Sequence, residues 1–327
     1  MSVGRPFRIL SLDGGGVRGA YTAAVLAQIE ENTGKRLVEH FDLVAGTSTG
    51  GIIAIGLGLG LPASRILHFY ETRSDAIFPS TGVHRRFLAR VRQVAAAKHN
   101  AAALDTALQE IFGDRLLGES SCRLVIPSYD AVAGDVHVFK TAHSPRVLED
   151  YKRRAADVAR ATSAAPTYLP MFVSSWGQRF LDGGVWANCP STSAILEAVG
   201  VLGAALEDIH LLSVGTTTPA FSAETSGAGG GILQYGLGVT IVELLMQAQA
   251  AGSFAQTKLL LKKRAMRIDT MVNRGRFQLD DARRVSALVA LGVRDGRHRA
   301  SEVAARFLHE PAPPFSPFQY NPLAVPP

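Results

Sequence analysis

Two apolar patterns alternate along the first two-thirds of the chain. Short apolar runs predict strands buried in a sheet: Phe7–Leu12 (FRILSL), Phe41–Ala45, Arg123–Pro127, Val136–Lys140, Arg179–Leu181 and Ile209–Val214. Between them the spacing turns helical. Ala24, Val25 and Ile29 share one face of Tyr21–Glu31, with Glu30 and Glu31 outside it. Helices are likewise predicted over Ala63–Thr72, Ala101–Ile111, Ala155–Thr162 and Pro190–Val199, and over most of Ile232 to Leu308. Gly-rich turns separate the elements at Asp13–Gly19, Gly46–Gly50 and Ala133–Asp135. Ser74–Asn100 is basic and weakly patterned and predicts a surface excursion or lid. Thr216–Gly231 predicts a Gly/Ser/Thr-rich loop, and the Pro-rich tail an irregular end. Strand–helix alternation of this kind predicts an α/β fold with helices on both faces of the sheet. The expected organisation is one domain. Residues 1–215 form its core, and a helical, basic region, 216–327, packs upon it.

Composition sharpens this picture. At 327 residues, 47% hydrophobic and 19% charged, the chain can bury a sizeable core. Leu43–Leu61 is uncharged and long enough to span a membrane. It is also rich in Gly and hydroxyl residues, and it reads better as a buried strand–turn–helix. Only two cysteines occur, Cys122 and Cys189, so a reducing compartment is expected. The first residues enter a strand without the basic and apolar regions of a secretory signal, which predicts a cytoplasmic protein. The net charge of +6 is uneven: Lys258–Arg299 holds twelve Lys or Arg against four acids. A second basic run, His84–Lys98, contains Arg85, Arg86, Arg90, Arg92 and Lys98 without an acid. Such runs suit anionic partners, or else form solvated helix faces.

Two Gly-rich turns carry the candidate chemistry. Gly14–Gly19 (GGGVRG) satisfies G-x-G-x-x-G after a strand, so a dinucleotide-binding reading must be weighed. That reading wants an acid at the end of the next strand, where Ala45-Gly46-Thr47-Ser48 stands instead. The same loop can serve as a nest of backbone N–H groups for the oxyanion of acyl transfer, with Arg18 reinforcing the field or tying the loop to a neighbour. Asp13 is expected to act in the turn rather than in catalysis.

Gly46-Thr47-Ser48-Thr49-Gly50 is G-x-S-x-G between a strand and a helix, the setting of a nucleophile elbow with Ser48 at its tip. A serine nucleophile needs a base. None of the downstream histidines lies in a recognisable catalytic turn, and His210 sits in an apolar strand. Asp182 ends a strand and precedes Gly183 and Gly184, which leaves a carboxylate on an approachable backbone. Cys189 could line the same site, although an inert small apolar role suits it better. No Cys/His/acid cluster has ligand spacing, and no metal site is expected.

DGGGVRG at Asp13–Gly19, GTSTG at Gly46–Gly50 and DGG at Asp182–Gly184, in this order, resemble the oxyanion loop, nucleophile elbow and aspartate motif of the patatin-like phospholipase family. ATSAAPTYLP at Ala161–Pro170 is similar to the segment that commonly precedes that aspartate. The resemblance covers roughly residues 7 to 215. It implies a three-layer α/β/α sandwich on a mainly parallel sheet, and a Ser48–Asp182 dyad without histidine. It also implies an oxyanion hole at Gly14, Gly15 and Gly16 beside Arg18. Gly19, Gly46, Gly50, Gly183 and Gly184 support the motifs. The stretches Leu124–His143, Asp150–Pro170 and Phe180–Pro190 further resemble the family's bacterial branch of cyclic-nucleotide-activated, anti-phage phospholipases. That likeness implies an activating cyclic dinucleotide such as 3',3'-cGAMP and a phospholipid substrate at the inner membrane face. It marks no nucleotide-contact residue. No nucleic-acid partner is expected, and a homodimer is left open. The competing classes are an unregulated lipase of the same family and a non-catalytic lipid- or nucleotide-binding module.

Overall fold

The computed structural model describes residues 5–79, 101–147, 149–219, 239–273 and 275–318. The basic run at 84–98 and residues 220–231 of the Gly/Ser/Thr-rich loop lie outside the described residues. The elements begin with strand β1 (Phe7–Leu12), helix α1 (Gly19–Thr33), β2 (Leu43–Gly46), α2 (Thr49–Gly58) and α3 (Ala63–Ile77). Then come α4 (Ala102–Phe112), β3 (Arg123–Asp130), β4 (Asp135–Lys140), α5 (Ala155–Thr162), β5 (Phe172–Val173) and β6 (Arg179–Asp182). They continue with α6 (Gly184–Ala187), α7 (Ser191–Gly200), β7 (Ile209–Val214), β8 (Thr218–Pro219) and α8 (Val239–Leu261). The last are β9 (Ala265–Ile268), β10 (Met271–Val272) and α9 (Val285–Phe307).

The main sheet runs β5-β6-β3-β2-β1-β7-β9, with β4 also paired to β3. Its middle, from β3 through β2, β1 and β7 to β9, is parallel, and β4, β5 and β6 add antiparallel pairs at one side. The sheet is therefore mixed around a parallel centre. β1 is buried along nearly its whole length, as expected of a strand covered on both faces.

The C-terminal third is more than helical. β9 joins the main sheet beside β7, within the stretch expected to be mainly helix. Four residues after Lys262-Lys263-Arg264 are too few to show a strand period, and the β9 burial pattern, alternating inward, emerges only against its neighbour. α9 packs closely on α1. Gly292 and Gly296 permit the approach: a Cβ at Gly292 would lie 2.4 Å from the Tyr21 carbonyl oxygen, and one at Gly296 would lie 2.7 Å from that of Val25.

Register places the site. Leu12 pairs with Gly46 on one side and with Val214 on the other. The loops leaving β1, β2 and β7 therefore emerge together at the carboxyl edge of the parallel strands, where open α/β sheets hold ligands. β6 runs antiparallel to β3 and sets Asp182 opposite Ser128, which carries the aspartate in toward that edge.

Candidate active site

Ser48 sits at the turn between β2 and α2 with φ 55° and ψ −124°. A non-Gly residue held there stores about 1–3 kcal/mol of backbone strain, which the surroundings must impose. Gly46 and Gly50 make the sharp turn possible. A Cβ on Gly46 would fall 2.1 Å from the Gly50 carbonyl oxygen, and one on Gly50 would fall 2.3 Å from that of Leu12. The Ser48 N–H donates to Thr162 Oγ1 at 3.0 Å. Tyr70 holds the next residue, with its hydroxyl bonded to the Thr49 hydroxyl.

Asp182 lies beside Ser48 and is 1% exposed. Its Oδ1 accepts the Gly184 N–H at 2.7 Å, and its own N–H donates to the Ala164 carbonyl at 3.0 Å. Oδ2 is buried with no hydrogen bond of full geometry. Burial pushes the carboxyl up to about 7, against smaller downward pulls from the Ser48 hydroxyl, the Gly184 N–H and the Arg160 guanidinium. The Ser48 hydroxyl thus reaches the carboxylate without completing a well-formed hydrogen bond. A carboxylate poised near neutrality, with one oxygen uncommitted, suits a general base.

The Gly-rich loop divides its amides. The Gly14 N–H donates to the Asn188 carbonyl at 2.9 Å, so it is engaged within the fold. The Gly15 and Gly16 N–H groups have no acceptor among the described residues, and Gly16 lines the same pocket as Ser48 and Asp182. Arg18 reaches the Gly15 and Thr217 carbonyls through Nε and Nη1, each at 3.4 Å. It ties the loop to the segment after β7, one of the two roles expected for it. Thr216 supports the other side, donating to the Gly14 carbonyl at 3.0 Å.

Asp13 binds Arg267, with Oδ2 2.7 Å from Nη2, and Arg267 also meets Asp269 at 2.8 Å. Burial pushes the Asp13 carboxyl up, and the guanidinium opposes that push. Asp269 in turn receives the Thr217 N–H and the Thr218 hydroxyl. Cys189 is buried, and its thiol is pushed up to about 11, mainly by burial and then by Asp13, as suits an inert role. Burial holds His210 below its ordinary value.

The pocket opening onto Ser48 and Asp182 has an empty volume of about 620 Å³, counted out to its mouth. Ile52, Phe69, Ile77, Leu104, Leu169 and Met246 make its wall predominantly apolar. An acyl chain fits such a lining better than a polar metabolite does. Among the described residues, no group of three or more His, Cys, Asp or Glu is placed to hold a metal ion, and no helix is long and apolar enough to cross a membrane.

The fold therefore gathers Ser48, Asp182 and Gly16 around one pocket, with Gly15 preceding Gly16 in the same loop and Gly46, Gly50, Gly183 and Gly184 shaping the turns around them. Sequence reasoning missed Thr162, Asn188, Thr216 and Arg267. Thr162 and Asn188 stand inside motif segments that give them no role of their own. Arg267 carries no local signal, because it lies in a run whose only visible feature is charge. Much of that run is engaged internally: Arg264 donates to the Leu206 and Ile209 carbonyls, Arg283 pairs with Asp281, and Arg294 pairs with Asp295.

The patatin-like phospholipase family model matches residues 10–195, and the chain belongs to that family. It is a lipid acyl hydrolase by membership. The cGAMP-activated phospholipase of Pseudomonas aeruginosa is 32% identical over 320 residues, covering 96% of this chain and 92% of that protein. The cGAMP-activated phospholipase of Vibrio cholerae is 32% identical over 273 residues, covering 78% and 77%. Among solved structures, VipD from Legionella pneumophila matches at a TM-score of 0.46 and 12% identity, covering 93% of this chain and 67% of that one.

Proposed function

We propose that this phospholipase cleaves fatty-acyl esters of membrane phospholipids through a Ser48–Asp182 dyad, at the inner membrane face, and that a cyclic dinucleotide switches it on. The observation that carries the dyad is the buried Asp182 carboxylate, pushed up to about 7 beside the strained Ser48, with one oxygen uncommitted. In the first step Asp182 takes the Ser48 proton as the serine oxygen attacks the ester carbonyl. The Gly15 and Gly16 N–H groups receive the oxyanion. Collapse expels the lysophospholipid alkoxide, which takes the proton back from Asp182 and leaves an acyl-Ser48. Water then attacks the acyl carbonyl, losing its proton to Asp182. Ser48 leaves with that proton, and the fatty acid departs. The apolar pocket holds the acyl chain throughout.

Support for the activator comes from the relatives of similar length that are named for cGAMP activation. The test is hydrolysis of mixed phospholipid liposomes with 3',3'-cGAMP, with cyclic di-GMP and with neither. Strong stimulation by one nucleotide over a low basal rate is expected. Ser48→Ala and Asp182→Asn should each lower the stimulated rate by about 10⁴-fold or more while leaving the protein folded. A high basal rate that no nucleotide changes would remove the activator. Full activity in folded Asp182→Asn would remove the dyad.

A further inference from the structure

We infer that Thr162 is a positioning residue that sets nucleophile and base against each other, an inference that rests on the dyad reading above. Thr162 closes α5 and is fully buried. Its hydroxyl donates its single proton to the Pro127 carbonyl at 2.5 Å. The oxygen must then act as acceptor toward the Ser48 N–H, 3.0 Å away. The Thr162 carbonyl receives the Gly183 N–H at 3.2 Å. One residue thus grips the backbone of Ser48 with its side chain and the residue after Asp182 with its main chain. Pro127 lies on β3, next to the Ser128 that pairs with Asp182, so the third contact fixes the strand on which the base is registered.

Two consequences follow from this arrangement. The Ser48 N–H is withdrawn from the oxyanion, which leaves that task to the Gly-rich loop. The strained φ of Ser48 has a partner that rewards it, because relaxing the turn would leave a buried N–H and the Thr162 lone pair unmatched. Thr162 touches neither substrate nor reacting atoms in this arrangement and acts through Ser48 and Gly183.

The test compares Thr162→Val, which keeps the shape and removes the two hydroxyl hydrogen bonds while the carbonyl bond to Gly183 remains, with Thr162→Ser, which keeps the hydroxyl. Activity on phospholipid vesicles and the rate of fluorophosphonate labelling at Ser48 are measured on protein shown to be folded by circular dichroism. A displaced reacting group costs about 10²-fold, so kcat and the labelling rate of Thr162→Val should fall about 10- to 100-fold, with KM within twofold. Thr162→Ser should return both to within about threefold of the parent. Thr162→Ala replaces the valine variant if that one does not fold. Folded Thr162→Val with kcat near the parent's overturns the proposal, as does a loss that serine does not rescue. Failure of both the valine and alanine variants to fold also overturns it, since the hydroxyl is then a folding requirement alone. Ser48→Ala run in parallel separates this outcome from failure of the dyad: activity surviving there removes the nucleophile itself.

Discussion

Arg267 Nη2 stands 2.7 Å from Asp13 Oδ2 and joins the C-terminal third of the chain to the loop beside the nucleophile. Asp13 begins the Gly-rich loop, and Arg267 lies on β9, more than 250 residues later. The Asp13 carboxylate is 3% exposed and the Arg267 side chain 19%. Removing Arg267 leaves the Asp13 charge buried and unmatched.

Arg267→Met should therefore destabilise the fold by about 3 kcal/mol, read from urea denaturation. The loop bearing Gly15 and Gly16 should loosen with it, so hydrolysis falls at least about tenfold even where the protein remains folded. Asp13→Asn combined with Arg267→Met should regain part of the stability, because the Asp13 charge is then gone, while Asp269 loses its guanidinium and keeps the Thr217 N–H and the Thr218 hydroxyl. An unchanged denaturation midpoint in Arg267→Met would show the pair to be dispensable.

Asp182 makes activity and stability oppose each other in pH. Its ionised form is the base, so kcat/KM on zwitterionic vesicles should rise with pH through about 7 and level off above it. Stability runs the other way. Below 3.8 the carboxyl is protonated in both folded and unfolded chains. Between 3.8 and about 7 the folded chain keeps the proton that the unfolded chain has released, so the protein weakens as pH rises, and above about 7 the loss is complete. Each pH unit crossed in that window costs about 1.4 kcal/mol, which brings the penalty to about 4 kcal/mol at pH 8. Asp182→Asn should melt higher than the parent at pH 8 and converge with it near pH 4. Parallel melting curves across that range would contradict the buried, elevated carboxyl.

The apolar wall of the pocket should set chain length. Leu104, 4% exposed on α4, lines the pocket with Ile52 and Phe69. Leu104→Trp adds bulk where an acyl chain would lie. Long-chain phospholipids should lose about 10-fold or more in kcat/KM, while a short-chain nitrophenyl ester keeps most of its rate. Equal losses on both substrates would place Leu104 in the scaffold rather than the acyl site.

Local pattern made much of the fold readable. Phe7–Leu12 and Ile209–Val214 are strands with the bounds expected, since apolar runs framed by Gly and polar turns leave little choice. β6 extends the expected strand by one residue and takes Asp182 into the sheet. The elbow was readable as a G-x-S-x-G run between a strand and a helix: Gly46 is demanded by Gly50, within five residues, whereas the demand on Gly50 comes from Leu12 on the neighbouring strand. β5, β8, β9 and β10 were not legible. They carry no apolar run of their own, and β8, β9 and β10 draw their pairing from partners more than fifty residues away.

By itself the sequence marked the candidate chemistry: a serine in a G-x-S-x-G turn, an aspartate before two glycines, and a loop of glycine amides, each legible as a short motif. Only the tertiary structure decided how those groups are tuned. It committed the Gly14 N–H to Asn188, turned Arg18 toward Thr217, paired Asp13 with Arg267 and buried Asp182 until its carboxyl reached about 7. The physical reason is range. A turn is fixed by the sterics of a few adjacent residues, whereas burial, ion pairing and the sharing of a hydrogen-bond donor depend on which distant segments the sheet brings to one edge.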